Sequence, residues 1–264
     1  MTRLKFFLFL LIAIFKSHSV YAEEWPTIEL SGIDLTTVKR IQIKEDPVYK
    51  TSKEYEAIPL AQVLSRFPEA DRAAKDRVVV FTAKDGYSVS MALADAMSEQ
   101  GFIAFEDSEA PSGQKWLTFK FGKETTTPAP FYLVWPKQGL DKWRFPWPFQ
   151  LASISLQPTS TYFGAAAPAK ITDDIRTGFN LFSTYCIRCH SVNLSGGQVG
   201  PELNIPKNIT EYFIEAELAG FILNAPAYRS GTKMPSFEKI LDRQQAKAIV
   251  TYLKHMKNEK SDTK

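Results

Sequence analysis

The sequence predicts an α+β domain followed by an all-α domain. Short runs rich in β-branched and aromatic residues alternate with turn signals from residue 24 to about residue 158. Apolar residues then recur at helical spacing from residue 171 to residue 256. Residues 159–170, between the two patterns, have the composition of a linker, and 264 residues are enough for two domains.

The first 22 residues have the order of a secretory signal peptide. Basic Arg3 and Lys5 precede an apolar run, Phe6 to Phe15, and a polar stretch that ends at the small residue Ala22. The run is much shorter than the roughly 20 residues that a membrane-spanning helix needs. We therefore expect cleavage near Ala22, a periplasmic protein, and no transmembrane segment in the mature chain. A retained N-terminal anchor is the alternative.

The formal net charge of +3 comes from this signal. Without residues 1–22 the chain loses Arg3, Lys5 and Lys16 and keeps 29 basic and 29 acidic residues. The mature chain is therefore formally neutral, and we expect neither nucleic acid nor an anionic membrane surface as a partner.

The first domain, residues 23–158, contains most of the predicted strands. Asp85 and Gly86 predict a turn between two of them. Pro59 predicts the start of a helix over 59–67, with Leu60, Val63, Leu64 and Phe67 on one face. The predicted strands are 38–43, 78–81, 87–91, 102–105, 116–121, 131–135 and 150–156.

The second domain, residues 171–257, contains three predicted helices, and a polar tail, 258–264, follows it. Thr172 can cap the first helix, Thr210 can cap a second that ends before Pro226, and the third begins near Asp242. Three short helices make a small core, so a prosthetic group would help to fill it. Their apolar stripes are Ile175, Gly178, Phe179 and Phe182; Phe213, Ile214, Leu218 and Phe221; and Ala246, Ile249, Val250, Leu253 and Met256.

Both cysteines of the chain lie in one C-x-x-C-H motif, Cys186 to His190. Two thiols one helical turn apart can form thioethers with the vinyl groups of one haem, and the adjacent imidazole then reaches the iron. A thioredoxin-like redox pair would instead follow a strand and open a helix. A zinc site would need about four ligands. We therefore expect one haem c, attached through Cys186 and Cys189, with His190 as an iron ligand.

The second face of the iron needs a soft ligand. Met234 lies in a loop before the last helix and is the expected residue. His255 and Met256, both on the last helix, are the alternatives.

Residues 172–257 resemble a class I c-type cytochrome domain. The order is a helix, Cys186 to His190, Gly200-Pro201, a middle helix, Met234-Pro235 and a terminal helix. The resemblance implies that the carbonyl of Pro201 orients the imidazole N–H of His190. It also implies that Gly178 and Phe182 pack against an aromatic residue of the last helix, Tyr252.

A haem iron with His190 and Met234 as ligands has no open site, so it passes single electrons and binds no substrate. The sequence therefore favours an electron carrier over an enzyme, with a protein redox donor and a protein acceptor as partners. Arg229, Lys233 and Lys239 lie near the Met234 loop and either steer an acidic partner or are ordinary solvated side chains.

Four segments of the first domain resemble, in order, the molybdopterin-binding domain of the sulfite oxidase family. They are Leu60 to Leu64, Val78 to Phe81, Asp85 to Ser88 and Phe131 to Pro136. In that family a cysteine thiolate binds molybdenum, and this chain has no cysteine outside the C-x-x-C-H motif. We therefore expect a scaffold without the metal centre, which docks a partner, binds a small ligand or covers the haem.

One segment of the first domain combines prolines with a cluster of aromatic residues. It either forms a recognition surface or packs back onto the core of its own domain. The aromatic residues are Trp135, Trp143, Phe145, Trp147 and Phe149.

Three functions follow from these observations. The favoured one is periplasmic electron transfer, with the N-terminal domain docking a redox partner. The second is a haem subunit of an oxidoreductase whose N-terminal domain binds a cofactor or substrate. The third is a haem-based gas-binding or sensor module in which Met234 leaves the iron.

Overall fold

The computed structural model describes residues 25–74, 76–98, 101–137 and 141–261. The predicted export signal, 1–22, therefore lies outside the described residues. The strands and helices up to residue 163 are β1 (Thr27–Glu29), β2 (Lys39–Ile43), β3 (Lys53–Pro59), α1 (Leu60–Leu64), α2 (Glu69–Ala73), β4 (Arg77–Ala83), β5 (Ser88–Ala92), α3 (Leu93–Ser98), β6 (Phe102–Asp107), β7 (Phe119–Phe121), β8 (Glu124–Thr126), β9 (Tyr132–Val134), β10 (Leu151–Pro158) and α4 (Thr159–Phe163).

The N-terminal region is mostly β-sheet. One antiparallel sheet has the strand order β1-β10-β4-β5, and a second has the order β2-β3-β6-β9. A small hairpin, β7-β8, turns at Gly122, whose φ of 60° suits a glycine. This region is the β-rich domain that the sequence predicts.

Strand β4 is buried on both faces. Val79 and Phe81 face a core that they share with Ile103 and Leu133 of the second sheet. Val78 and Val80, on the other face, belong to the core of the C-terminal helices. The unbroken apolar run of this strand, which shows no polar alternation, is explained by these two buried faces.

Six predicted strands are present as β2, β4, β5, β6, β9 and β10, whereas β1, β8, α2 and α3 were not predicted. Strand β3 was not predicted, because Lys53, Glu54 and Glu56 give it a polar composition. The strand predicted over 116–121 is limited to β7, and the helix predicted over 59–67 is limited to α1. The buried face of that helix is nevertheless correct, since Leu60, Val63, Leu64 and Phe67 are all buried.

The C-terminal region is formed by helices. They are α5 (Asp173–Tyr185), α6 (Glu215–Leu223), α7 (Ala225–Tyr228) and α8 (Arg243–Met256), with a small hairpin of β11 (Ser191–Val192) and β12 (Ser195–Gly196). Thr172 caps α5, as the sequence predicts, and α8 begins just after Asp242, near the predicted start, with Asp242 as its cap. None of the helices in the described residues has the length and apolar character needed to span a bilayer.

The prediction for the start of the middle helix was wrong. Asn208, and not Thr210, is the capping residue, and it forms a capping box with Glu211 around a single 3-10 turn. The helix itself, α6, begins only at Glu215, so that Ile214 is 64% exposed instead of belonging to the apolar stripe. The helix ends before Pro226, as predicted.

Residues 159–170 contain α4 and a 3-10 turn, Gly164–Ala166. Phe163 and Ala166 are buried in the core of the C-terminal helices. Part of the segment with linker composition therefore packs against the domain that follows it.

Candidate functional site

The C-x-x-C-H motif lies at the C-terminal end of α5. The backbone N–H of Cys189 and that of His190 both donate to the carbonyl of Cys186, at 3.0 and 2.9 Å. These bonds form a tight turn just after the helix. The turn places the two thiols and the imidazole next to one another in space.

Helices α5 and α8 cross closely beside this turn. A Cβ built on Gly178 would lie 2.8 Å from the Cβ of Tyr252, so only glycine allows this approach. The rings of Phe182 and Tyr252 are 5.1 Å apart between centroids. The implied packing of Gly178 and Phe182 against Tyr252 is confirmed.

The His190 ring lies between a carbonyl group and a glycine. Its Nδ1 donates to the carbonyl of Pro201 at 2.8 Å. A Cβ on Gly200 would fall 2.7 Å from Nδ1 and 2.8 Å from Nε2 of the same ring, so a larger residue would displace it. Because Nδ1 carries the proton of this bond, Nε2 of the neutral imidazole is left as a metal ligand.

Glu202 organises the loop that contains Pro201. Its carboxylate accepts hydrogen bonds from the backbone N–H groups of Asn193, Leu194, Asn204 and Ile205, at 2.8 to 3.2 Å. Burial alone would raise the pKa of Glu202, but the hydrogen bonds from Ser191 and from the backbone outweigh it and lower the pKa. The loop is therefore held by an ionised carboxylate.

Two buried asparagines connect this loop to the end of α8. Asn204 donates to the carbonyl of Met256 and Asn208 donates to that of Leu253, both at 2.8 Å. They satisfy carbonyl groups that have no partner within the helix. The loop that contains Pro201 is therefore held in place by the last helix.

The motif lines a cavity of about 400 Å³ in the centre of the helices. Cys186, Cys189, His190 and Met234 all line this cavity. Most of the other lining residues are apolar, and they include Phe182, Leu203, Phe213, Leu218, Phe221, Ile222, Phe237, Ile249 and Leu253.

The other residues considered as distal ligand are elsewhere. Met256 is fully buried in the core, and Nε2 of His255 is 3.0 Å from a carboxylate oxygen of Glu259. Neither residue is among the described residues that line the cavity, whereas Met234 is.

Two of the three predicted basic residues lie at the cavity rim. Arg229 and Lys233 line it, and both are exposed. Val199 and Tyr212, also exposed, complete this part of the rim. Lys239, the third residue of the prediction, is not among the described lining residues.

The Cys186 thiol is unsuited to disulfide exchange. Cys186 and Cys189 are both free, and burial, followed by the nearby Cys189, raises the pKa of Cys186 to about 12. A redox-active C-x-x-C pair needs a lowered thiol pKa. The described residues also contain no group of three or more His, Cys, Asp or Glu that could hold a metal ion.

Covering the haem is one of the three roles that the sequence suggests for the N-terminal domain, but the sequence did not indicate which residue reaches the cavity. Trp143 lines the cavity, and its carbonyl accepts a hydrogen bond at 2.9 Å from Nη2 of Arg188, inside the C-x-x-C-H motif. The other aromatic residues of its segment, Trp135, Phe145, Trp147 and Phe149, pack on cores of their own domain. The unusual aromatic segment was the available signal, but nothing in it distinguishes Trp143 from its neighbours.

The residues present fit a c-type haem. Two free thiols, an imidazole with an available Nε2 and a thioether line one largely apolar cavity of a volume usual for cofactor sites. The glycine at position 200 leaves room for the imidazole. This donor set can hold an iron porphyrin covalently and offer a nitrogen and a sulfur ligand to the metal.

Comparison with known families agrees with this chemistry. The family described as Cytochrome C oxidase, cbb3-type, subunit III matches residues 173–253. No solved structure matches the chain. The C-terminal part of the chain is therefore a c-type cytochrome domain, which serves electron transfer through haem.

Proposed function

We propose that this chain is a periplasmic electron carrier with one haem c. Cys186 and Cys189 hold the haem through thioethers, and His190 and Met234 bind the two faces of its iron. The observation that carries this proposal is that these four side chains line one apolar cavity. Cytochrome c domains are typically exported, which supports the interpretation of residues 1–22 as a signal peptide.

A bound haem c would supply a one-electron iron centre. The chain's own residues orient and insulate it. Pro201 fixes the rotation of the His190 ring and keeps its proton on Nδ1, so that Nε2 remains the ligand atom. Met234, half-buried in its loop, offers a neutral thioether, which favours the ferrous state. The apolar side chains around the cavity would keep water away from a bound haem.

Partner docking is the proposed role of the surface around the rim. Exposed Arg229 and Lys233 line the same cavity as exposed Val199 and Tyr212. Basic side chains around a small apolar patch steer an acidic protein and then let it come into contact with the cofactor edge. The N-terminal domain is fixed against the same helices through Val78 and Val80, so it can contribute to the same docking surface.

The test is to produce the mature protein in a host with export and haem-attachment machinery. We expect one covalent haem per chain, a reversible one-electron titration, and a reduced form that does not bind carbon monoxide at neutral pH. Protein that carries no covalent haem would contradict the proposal. Ready binding of carbon monoxide would instead favour a gas-binding module, because it requires an open iron site.

A specific observation favours a second function, that of an oxidoreductase subunit. A cleft of about 400 Å³ lies between the first sheet and α5, and Arg77, Thr159, Arg176 and Asn180 are among its lining residues. A polar cleft of this size beside the haem cavity can hold a small ligand that exchanges electrons with the haem. Stoichiometric molybdenum or pterin in the purified protein would favour this function over the carrier. Its absence together with a working one-electron titration would favour the carrier.

A further inference from the structure

One wall of the haem cavity comes from the N-terminal domain. Trp143 lines the cavity, and its ring is 5.9 Å from that of Phe237, the buried residue that follows the Met234 loop. The backbone N–H of Trp143 donates to the carboxylate of Asp141 at 2.9 Å. This bond fixes the turn from which the indole projects.

The segment that carries Trp143 is anchored in its own domain. Phe145, two residues later, is buried against Trp135, with 5.2 Å between the ring centroids. The indole N–H of Trp135 donates to the carbonyl of Pro146 at 2.8 Å, and Arg144 forms an ion pair with Asp95 at the start of α3. Trp143 therefore belongs to a fixed structural element, which holds its ring against the cytochrome helices.

Arg188 fastens this element to the C-x-x-C-H motif. Besides the hydrogen bond to the Trp143 carbonyl, its guanidinium carbon lies 5.9 Å from the centre of the indole ring. Arg188 is half-buried and lies between the two cysteines in the sequence. The contact thus joins the haem-attachment turn directly to the N-terminal domain.

Trp143 also separates two cavities. The interdomain cleft and the haem cavity, each about 400 Å³, share two lining residues, Trp143 and Tyr185. The cleft is partly open to solvent, and its lining is more polar than that of the haem cavity because it includes Asp76, Arg77 and Arg176. Trp143 and Tyr185 together form the wall between the cleft and the haem cavity, and removing the indole ring would take away one of these two side chains.

We propose that Trp143 is a haem-contacting residue that the N-terminal domain supplies, and that it keeps the water of the interdomain cleft away from the haem. The inference rests on the proposed function, because it assumes a haem in the cavity. The ferric centre has one more positive charge than the ferrous centre, so water stabilises the ferric state more strongly. By excluding water, Trp143 stabilises the ferrous state and raises the reduction potential.

The first test compares Trp143→Ala and Trp143→Phe with the parent haem protein. Trp143→Ala should keep covalent haem but lower the midpoint potential, whereas Trp143→Phe should stay close to the parent because a ring still fills the wall. Trp147→Phe is the matched control: Trp147 lies in the same segment, packs near Tyr132 and is not a described lining residue of the cavity. Equal potentials for Trp143→Ala and the parent would overturn the proposal.

The second test does not depend on the potential. In proton NMR spectra the indole N–H of Trp143, assigned through the Trp143→Phe variant, should shift strongly between the reduced and oxidised protein, because the oxidised iron is paramagnetic. The indole N–H of Trp116, buried in the core on the far face of the second sheet, should shift much less. A Trp143 resonance that does not move would overturn the haem contact.

These outcomes separate the two proposals. A parent protein without covalent haem would contradict the proposed function and this inference together. A parent protein with normal haem, combined with an unshifted Trp143 resonance and an unchanged potential in Trp143→Ala, would contradict the inference alone.

Discussion

The C-terminal part of the chain builds its haem-attachment turn from neighbours in the sequence, whereas the N-terminal part builds its core from distant residues. Cys186, Cys189 and His190 lie within one tight turn of backbone that directly follows α5. In the N-terminal part, by contrast, Ile28 pairs with Ile154 and Val79 with Leu156.

This difference explains why only one part displays its chemistry as a motif. Local contacts leave a short, readable pattern of residues, but contacts between distant strands do not. It also predicts where substitutions act. Changes at the haem-attachment turn and at Met234 should alter the haem, and changes in the N-terminal core should alter stability while the haem stays attached.

The largest effect should come from replacing both cysteines. Cys186→Ala with Cys189→Ala removes both thioether bonds, so no covalent haem should remain. The measurement is haem staining after denaturing electrophoresis, with Thr177→Ala at an exposed position of α5 as a control that keeps the stain. A stained band in the double variant would disprove attachment at this motif.

The next largest effect should come from replacing Met234, the expected distal ligand. Met234→Ala should keep the haem covalently attached, lower the midpoint potential and open the iron to carbon monoxide, because the thioether is lost. Met256→Leu, a change of similar volume in the core, should retain the spectrum of the parent. If the variants behaved in the opposite way, Met256 would be the ligand.

A buried ion pair tests whether the N-terminal core affects stability alone. The Nζ of Lys53 lies 2.7 Å from a carboxylate oxygen of Asp107, and both side chains are almost completely buried. Burial alone would lower the pKa of Lys53, but hydrogen bonds to Asp107 and Glu109 outweigh it and raise the pKa. Lys53→Met would leave the Asp107 charge buried without compensation and should lower the free energy of unfolding by about 3 to 5 kcal/mol.

Denaturant unfolding measures this loss, and haem staining should be unchanged at temperatures where the variant is folded. Glu109→Gln is the control, because the Glu109 side chain is 54% exposed and its ion pair contributes little. Loss of haem in a folded Lys53→Met protein would show that the N-terminal core also controls haem attachment, and would contradict the difference drawn between the two parts.

A smaller effect is expected at the crossing of α5 and α8. Gly178→Ala would force the helices apart and should lower the free energy of unfolding by about 1 to 3 kcal/mol. Gly32→Ala is the control, since a Cβ there has no atom within 4 Å. Equal unfolding midpoints for the two variants would show that the crossing tolerates a methyl group.

The smallest effect concerns acid stability. Folding lowers the pKa of Glu202 below its ordinary value of 4.5. The ionised carboxylate therefore stabilises the folded protein above pH 4.5, and this stabilisation is lost as the pH falls through the folded-state pKa. Glu202→Gln should lose about 1 to 2 kcal/mol at pH 7 and show a flatter acid limb. Unfolding midpoints at pH 7 and below pH 4 measure this, with exposed Glu217→Gln as control. A parallel pH profile in both proteins would contradict the role of Glu202.

Much of the C-terminal part could be predicted because its signals are local. Thr172 and Asp242 are followed by regular apolar stripes, so the starts of α5 and α8 were correct. Thr210 failed as a cap because Asn208, two residues earlier, makes the stronger capping box with Glu211. The cavity lining and the loop around Glu202 depend on tertiary contacts and left no pattern.

The N-terminal part was predictable only at the level of its strands. Apolar runs such as 78–81 were recognisable as strands. Strand β3 was not, because it begins with the charged residue Lys53, whose burial is possible only through an ion pair with Asp107, far along the chain. The contact between Trp143 and Arg188 joins two domains, so the local sequence around neither residue could reveal it.

Residues 159–170, between the two parts, are held by hydrogen bonds to α8 and to the residues that follow it. The hydroxyl of Tyr252 donates to the carbonyl of Ala166 at 2.6 Å, and Glu259 accepts hydrogen bonds from the backbone N–H groups of Ala169 and Lys170. These bonds make the segment a spacer of fixed length, unlike a flexible tether that samples many separations. A partner that touches both domains therefore encounters one preorganised surface, and association does not require the loss of interdomain freedom.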